Sequence, residues 1–165
     1  MTSTAPEIRH RVQPRIPREL LESPGYLLGR LGYALKQRSI KEFEQAGLNP
    51  YYYSVLALLD EGACQSQAAM AEALGLDRSQ LVGLLDEMEE RELIERRRDR
   101  TDRRRHVVSL TAAGRRVLAE CRAIRKRLES EFLAPLDDEK RATLHALLLE
   151  LAAHTDPRYA REARG

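Results

Sequence analysis

Seven arginines and two aspartates fall within residues 96–105, which gives this ten-residue stretch a net charge of +5. A strand-like pattern precedes the charged tip at residues 93–98, and another follows it at residues 106–110. The pattern predicts a two-stranded β-hairpin with a basic tip at residues 99–105. Like charges at such a tip repel one another, and they become favourable only when phosphates approach and condensed counterions are released.

Two short helical patterns come directly before this hairpin. Ser66 can cap the first helix and Gly75 can end it, while Asp77 begins the second helix with Gln80 at capping-box spacing. The second helix has an apolar face made of Leu81, Leu84, Leu85 and Met88. Two helices joined by a tight turn at residues 74–77 predict a helix-turn-helix, and the hairpin behind it predicts a winged helix.

Longer helical patterns flank the winged segment. The N-terminal helix of the chain ends at Gly47 and has an apolar stripe that includes Leu28, Leu31, Leu35 and Phe43. Asn49 is expected to cap the helix that follows Gly47 along the chain, with Pro50 at its first position and a buried stripe of Tyr53, Leu56 and Leu59. Thr111 caps a long helix with the stripe Val117, Cys121, Ile124, Leu128 and Phe132. A last helix begins near residues 137–139.

These elements predict a mainly α fold with a small β-hairpin, a winged helix-turn-helix with an N- and C-terminal helical dimerisation region. The terminal helices carry more apolar surface than one small winged domain can cover, so we expect them to pair with a second copy. The expected organisation is a basic, proline-containing arm at 1–23, the dimerisation region at 24–47 and 115–156, the winged domain at 48–114, and a C-terminal tail at 157–165.

Composition limits the other classes of function. The net charge is only +2, so anion binding must come from local clustering of basic residues. No apolar run approaches the ~18 residues of a membrane span, and residues 1–18 lack the apolar core of a signal peptide. The two cysteines, Cys64 and Cys121, form no CxxC pair, which favours a reducing cytoplasm. We expect no cofactor, no metal site from the scattered His10, His106, His145 and His154, and no enzymatic activity, because catalytic motifs are absent.

The chain resembles the MarR family of transcriptional regulators over roughly residues 26–154. The stretch TDRRRHVVSLTAAG is similar to the family's wing signature, and GLNPYYYSVLALL and QAAMAEALGLDRSQLVGLLDEMEERELIERR support the resemblance. The signature residues are Asp102, Arg104, Leu110, Thr111 and Gly114. The chain departs from the family at Gly83, where several relatives carry a base-reading arginine, and at Glu92, where a glycine is usual.

The resemblance implies a homodimer that binds double-stranded DNA at a pseudo-palindromic operator. Each recognition helix would enter a major groove about one helical turn (~34 Å) from its twin, and each wing would reach a minor groove. It further implies a ligand-responsive repressor, cytoplasmic and associated with the nucleoid. Two alternatives stay open: an oxidant-sensing regulator acting through Cys64, and a winged-helix interaction module without an effector.

The resemblance implies that Arg104 inserts into the minor groove and that Asp102 holds the shape of the wing. Four further arginines are expected either to contact phosphates or to support the hairpin: Arg98, Arg100, Arg103 and Arg105. The start of the recognition helix is expected to face bases or phosphates through Arg78, Ser79, Gln80 and Gly83. Glutamine can pair with adenine through both ends of its amide, and arginine can read guanine.

An aromatic run, Tyr51, Tyr52 and Tyr53, is a candidate site for a small aromatic, phenolic or carboxylate effector, because tyrosine offers an apolar face and a hydroxyl. Arg30 could anchor a carboxylate. The alternatives are that one or two of the tyrosines pack in the core and that Arg30 forms a surface or dimer salt bridge. We expect Cys121 to be a buried, inert thiol.

Overall fold

The computed structural model describes residues 15–62, 66–98 and 106–164. The chain is mainly helical with an antiparallel two-stranded hairpin, which confirms the predicted fold class. The helices are α1 (Arg18–Leu21), α2 (Pro24–Gln45), α3 (Tyr52–Asp60), α4 (Gln67–Leu74), α5 (Arg78–Glu90), α6 (Ala112–Phe132) and α7 (Asp138–Thr155), followed by a 3₁₀ helix (Pro157–Arg164). The strands are β1 (Ile94–Arg98) and β2 (His106–Leu110).

The chain divides into two compact units, Met1–Lys36 and Gln37–Gly165. In the described part of the first unit, residues 15–36, no side chain is buried. Its large exposed apolar side chains are Ile16, Leu21, Leu27, Leu28, Leu31 and Tyr33. Helix α1 lies within the segment predicted as an arm, so that segment contains a short helix. The assignment of residues 24–47 to a dimerisation region stays a prediction.

The core of the second unit joins α3, α4, α5, α6 and the base of the hairpin. All four residues predicted for the apolar face of α5 are buried, which confirms the position of that helix. Around them lie Phe43, Leu48, Tyr52, Val55, Leu56, Met70, Ala71, Leu93, Ile94, Leu118, Cys121, Ile124 and Leu128. One core therefore fixes the recognition helix and the hairpin base together.

The predicted start of α3 was wrong by two residues. The Asn49 side chain accepts a hydrogen bond from the Tyr51 amide at 3.0 Å and closes a turn, and the helix begins only at Tyr52. An asparagine that binds the amide two residues ahead favours a turn over a helix cap. The buried stripe shifts accordingly to Tyr52, Val55 and Leu56, while Tyr53 and Leu59 are half-buried.

The other helix ends follow the predicted signals. Ser66 caps α4 by accepting from the Ala69 amide, Gly75 ends α4 with a φ of 63°, and Thr111 caps α6 by accepting from the Gly114 amide. Along α6 the buried apolar side chain near the start is Leu118, whereas Val117 is half-buried. Phe132 at the end of α6 is half-buried rather than buried.

Helix α7 has no buried residue and exposes Leu147, Leu148 and Leu151. The segment predicted as a tail forms the 3₁₀ helix, where Arg158 donates to the carbonyl oxygen of Glu72 in α4 at 2.7 Å. Among the helices that the structure describes, none is both long and apolar enough to cross a membrane.

Candidate nucleic-acid interface

The N-terminal end of α5 is built by a complete capping box. The Asp77 carboxylate accepts from the Gln80 amide at 2.8 Å and from the Ser79 hydroxyl at 2.6 Å. In return, the Gln80 side-chain oxygen accepts from the Asp77 amide at 3.1 Å. The hydrogen bond from Ser79, followed by that from the Gln80 amide, lowers the pKa of Asp77, which keeps the cap ionised.

This cap decides which polar groups remain free at the start of the helix. Pairing of Gln80 with adenine through both amide ends would require its oxygen to leave the Asp77 amide, so the NH₂ group is the end available in this arrangement. Arg78 is exposed, and no hydrogen-bond or ion-pair partner is found for it within the described parts of the chain. Gly83 is also exposed, with open space where a β-carbon would stand.

The hairpin pairs β1 and β2 in antiparallel register, with Ile94 opposite Leu110 and Arg98 opposite His106. Arg98 is thus the last residue of β1. Four predicted arginine sites, Arg100, Arg103, Arg104 and Arg105, lie outside the described residues, together with Asp102. Their roles stay predictions. What the structure defines is the base of the wing on which these side chains depend.

The corner between α5 and β1 uses a left-handed residue. Glu92 has a φ of 58°, the conformation that favours glycine, which is the residue that the family resemblance leads us to expect here. The Glu92 amide donates to the Glu89 carbonyl and the Leu93 amide donates to the Met88 carbonyl, both at 2.9 Å. These two bonds form a Schellman motif that closes the recognition helix.

Thr111 and Gly114 fasten the other end of the hairpin to this corner. The Thr111 hydroxyl donates to the Glu92 carbonyl at 2.6 Å, and the Thr111 amide donates to the Leu93 carbonyl at 3.2 Å. A β-carbon at Gly114 would stand 2.0 Å from the Leu93 oxygen. The Leu-Thr-x-x-Gly part of the signature is therefore a joint between the wing and α6.

Arg96 has partners that the sequence reading missed. Its guanidinium pairs with the carboxylates of Asp86 and Glu89, both on α5, and its Nε lies 2.8 Å from Glu89 Oε2 without hydrogen-bond geometry. Strand alternation was the available signal, because Arg96 falls on the same face of β1 as Ile94. Arg97, on the other face, pairs with Glu95 of its own strand.

The three consecutive tyrosines occupy three different environments. Tyr51 is exposed, and Tyr53 is half-buried beneath the Arg125 guanidinium, 4.9 Å from the ring centroid. Tyr52 is fully buried, with its hydroxyl donating to Glu87 at 2.7 Å and accepting from Arg91 at 2.9 Å. Tyr52 is thus the core-packing tyrosine that the sequence left as an alternative.

Arg91 extends the Tyr52 contact to a third element. Its guanidinium also donates to the carbonyl oxygen of Gly47 at 3.2 Å, just beyond the end of α2. Burial raises the pKa of Tyr52, and the hydrogen bond from Arg91 opposes this effect. The hydroxyl stays protonated at neutral pH and joins the far end of α5 to the start of α3.

A shallow groove of about 260 Å³ lies between the start of α3 and α5. It is lined by Asn49, Tyr51, Leu76, Gln80, Leu84 and Glu87. Of the three tyrosines, only Tyr51 is among these lining residues. Arg30 is exposed in the first unit, and its role as a carboxylate anchor stays a prediction.

The remaining candidates are sulfur and metal sites. Cys121 is fully buried in α6, and burial raises the pKa of its thiol to about 11, as expected for an inert cysteine. Cys64 lies outside the described residues. No cluster of metal-ligating side chains occurs in the described ranges 15–62, 66–98 and 106–164.

Comparison with known proteins identifies this arrangement. The model of the MarR family matches residues 48–106, from the residue before Asn49 to the first residue of β2. A transcriptional regulatory protein assigned to the hcr operon of Thauera aromatica is 34% identical over 135 residues, which cover 77% of this chain and 81% of the relative.

Two solved structures of the repressor CouR are also similar. CouR from Rhodococcus jostii RHA1 bound to p-coumaroyl-CoA is 33% identical, with a TM-score of 0.68 over 82% of this chain and 96% of that one. CouR bound to a 23-mer DNA duplex is 32% identical, with a TM-score of 0.74 over 85% of this chain and 99% of that one. By its similarity to these regulators over most of their length, the chain belongs to the MarR family of transcriptional regulators.

Proposed function

We propose that this protein is a homodimeric, sequence-specific DNA-binding repressor that releases a pseudo-palindromic operator when a small effector binds. The observation that carries the proposal is the exposed polar start of α5, with Arg78 and Ser79, beside a hairpin whose tip sequence is basic. The apolar face of α5 is buried in the core, which leaves this polar end of the helix exposed for entry into a major groove.

Exposed apolar side chains support the homodimer. Leu147, Leu148 and Leu151 lie exposed on α7, and the first unit presents its own set of exposed leucines. Apolar surface of this kind is stable in water when a partner covers it. The proposal places the dimer in the cytoplasm on nucleoid DNA, and it includes no catalytic step.

The effector class follows from the tyrosines and from the relative that binds an aromatic thioester. Tyr51 lines the groove on α5, and CouR is solved with p-coumaroyl-CoA. We expect an aromatic, phenolic or carboxylate ligand for this protein as well. Tyr51, Tyr53 and, separately, Arg30 remain the candidate contacts, and Tyr52 acts through packing in the core.

The first experiment is fluorescence anisotropy with the gene's own upstream DNA and a scrambled duplex over a salt series. Tight, salt-sensitive binding that prefers the upstream DNA is the expected result. Weak binding that is equal on both duplexes would contradict sequence-specific autoregulation. Absence of binding at low salt would contradict the DNA-binding function and favour a protein interaction module.

Arg104→Ala tests the wing in the same assay. Loss of a phosphate-proximal charge should weaken binding and reduce the slope of log K against log salt by about 0.9. Arg122→Ala is the matched control. Arg122 lies on α6, away from the wing sequence, and its guanidinium nitrogen is 2.8 Å from a carboxylate oxygen of Asp60 on α3. Equal affinity and slope for Arg104→Ala and the parent protein would remove Arg104 from the interface.

Release of DNA by p-coumaroyl-CoA and by free aromatic acids tests the effector. The parent protein should lose anisotropy as ligand is added, and Arg30→Ala should need more of a carboxylate ligand for the same effect. An equal response in both proteins would remove Arg30 from the site. Lack of response to every aromatic compound would overturn the proposed effector class.

A further inference from the structure

Arg96 differs in burial from Arg97, the next residue of the charged hairpin. Its side chain is 16% exposed, whereas that of its neighbour Arg97 is 74% exposed. Alternation along β1 explains the contrast, since Arg96 shares a face with the buried Ile94. Arg96 is therefore turned toward the body of the protein.

Two carboxylates of the recognition helix receive this side chain. Asp86 and Glu89 are three residues apart, so they lie on the same face of α5. The Arg96 guanidinium pairs with Asp86, and its Nε lies 2.8 Å from Glu89 Oε2. The Arg96 backbone amide also donates to Glu89 Oε1 at 3.3 Å. Both the backbone and the side chain of one wing residue are thus tied to α5.

We propose that Arg96 is a positioning residue that sets the wing against the recognition helix, so that both elements meet DNA as one rigid reader. This inference rests on the proposed DNA-binding function. Although Arg96 belongs to the run of seven arginines, it acts through Asp86 and Glu89 rather than through phosphates. A two-stranded hairpin is marginally stable alone, so its orientation depends on such contacts to the rest of the fold.

The pairing has a second consequence for charge. Asp86 and Glu89 place two negative charges on the helix that approaches the DNA backbone. Arg96 offsets them where the three side chains meet. If the two carboxylates act only by repelling DNA phosphates, their neutralisation should strengthen DNA binding. If they act by holding Arg96 and the wing in place, their neutralisation should weaken DNA binding.

Arg96→Met is the first test, since methionine keeps an apolar stem and removes the charge. On the protein's preferred duplex, affinity should fall on the order of tenfold, as coupled pairs of this kind allow, with an unchanged salt slope. Arg97→Met is the matched control, because it removes the same charge from the exposed face of the same strand. A fall in slope of about 0.9 for Arg96→Met would make Arg96 a phosphate contact and overturn the proposal. Losses of affinity equal to those of Arg97→Met would overturn it as well.

The Asp86→Asn, Glu89→Gln double variant is the decisive test, and both residues are exposed enough for it to fold. Weaker binding, in spite of the loss of two negative charges, is the expected result. Stronger or unchanged binding would overturn the positioning role and leave only charge repulsion.

Hydrogen exchange separates this inference from the proposed function. In free Arg96→Met protein, the amides of β1 and β2 should exchange faster than in the parent, while those of α6 should not change. Unchanged exchange in β1 and β2 would show that Arg96 does not hold the hairpin in place and would overturn the proposed positioning role. If the parent protein binds no duplex, the proposed function fails, and the exchange result still decides whether Arg96 holds the wing.

Discussion

Gly114 in α6 lies against the backbone carbonyl of Leu93, so closely that a β-carbon on Gly114 would stand 2.0 Å from the Leu93 oxygen. The same oxygen accepts the Thr111 amide and lies 3.1 Å from the Thr111 hydroxyl. This one carbonyl fastens the start of β1 to the start of α6. Both the wing and the helix behind it therefore depend on the absence of a side chain at residue 114.

Gly114→Ala should destabilise the protein by about 3 kcal/mol, because overpacking against backbone cannot be relieved by a rotamer change. Urea unfolding measures the loss. Gly83→Ala is the matched control: its β-carbon would meet open space, and alanine is the better helix former by about 0.5–1 kcal/mol. The same chemical change should thus have opposite signs at the two positions. A loss of stability well below this value for Gly114→Ala would mean that the backbone of Leu93 can move away from residue 114 at little cost.

Glu92→Gly should stabilise the protein by about 1 kcal/mol. Glu92 has a φ of 58° at the left-handed position of the Schellman motif, where a β-carbon is unfavourable and glycine is not. Thermal or urea unfolding checks the gain.

Glu90→Gly is the control for this change, since Glu90 is exposed at the end of α5 and has a helical conformation. There glycine should cost about 0.5–1 kcal/mol. Destabilisation by Glu92→Gly comparable to that by Glu90→Gly would show that the glutamate side chain contributes more than the strain of its backbone.

Local signals in the sequence located the elements well. The Asp77–Gln80 capping box, the Thr111 cap and the two strands all lie where the residue pattern placed them. Each of these signals is complete within a few residues, so no knowledge of the tertiary structure is needed to read it.

Signals that depend on tertiary contacts were harder to read. Tyr52 rather than Tyr53 is buried, because the turn at Asn49 delays the helix and rotates its stripe. Arg96 looks like any other arginine of the charged run until Asp86 and Glu89 are brought beside it by the fold. Which arginines bind phosphate and which support the hairpin is therefore a question about packing and not about composition.

Tyr52→Phe tests the contact between α5 and α3. Phenylalanine keeps the packing but leaves the Glu87 carboxylate and the Arg91 guanidinium without their shared hydroxyl, which should cost about 1–2 kcal/mol in urea unfolding. Tyr51→Phe removes a hydroxyl from an exposed ring and should change stability by less than about 0.5 kcal/mol. Equal changes in the free energy of unfolding for the two substitutions would show that the hydrogen bonds of the Tyr52 hydroxyl to Glu87 and Arg91 do not stabilise the protein.

Cys121 should make stability depend on pH in the alkaline range. Burial, followed by the nearby charge of Glu120, raises the pKa of its thiol to about 11, whereas an unfolded cysteine titrates near 8.5. The unfolded chain therefore loses the proton first. The contribution of Cys121 to stability is constant below about pH 8.5 and falls as the pH rises toward about 11.

The measurement is urea unfolding from pH 8 to 10.5 in a Cys64→Ser background, where Cys121 is the remaining thiol. Adding Cys121→Ala gives the control, which loses the titration while the lysines and tyrosines are unchanged. The free energy of unfolding of the parent should fall more steeply with pH than that of the control, even though the alanine creates a cavity and lowers stability at every pH. Parallel pH curves for the two proteins would mean that the thiol is accessible to water. In that case a thiol reagent such as Ellman's reagent should also react with Cys121 faster than the protein unfolds.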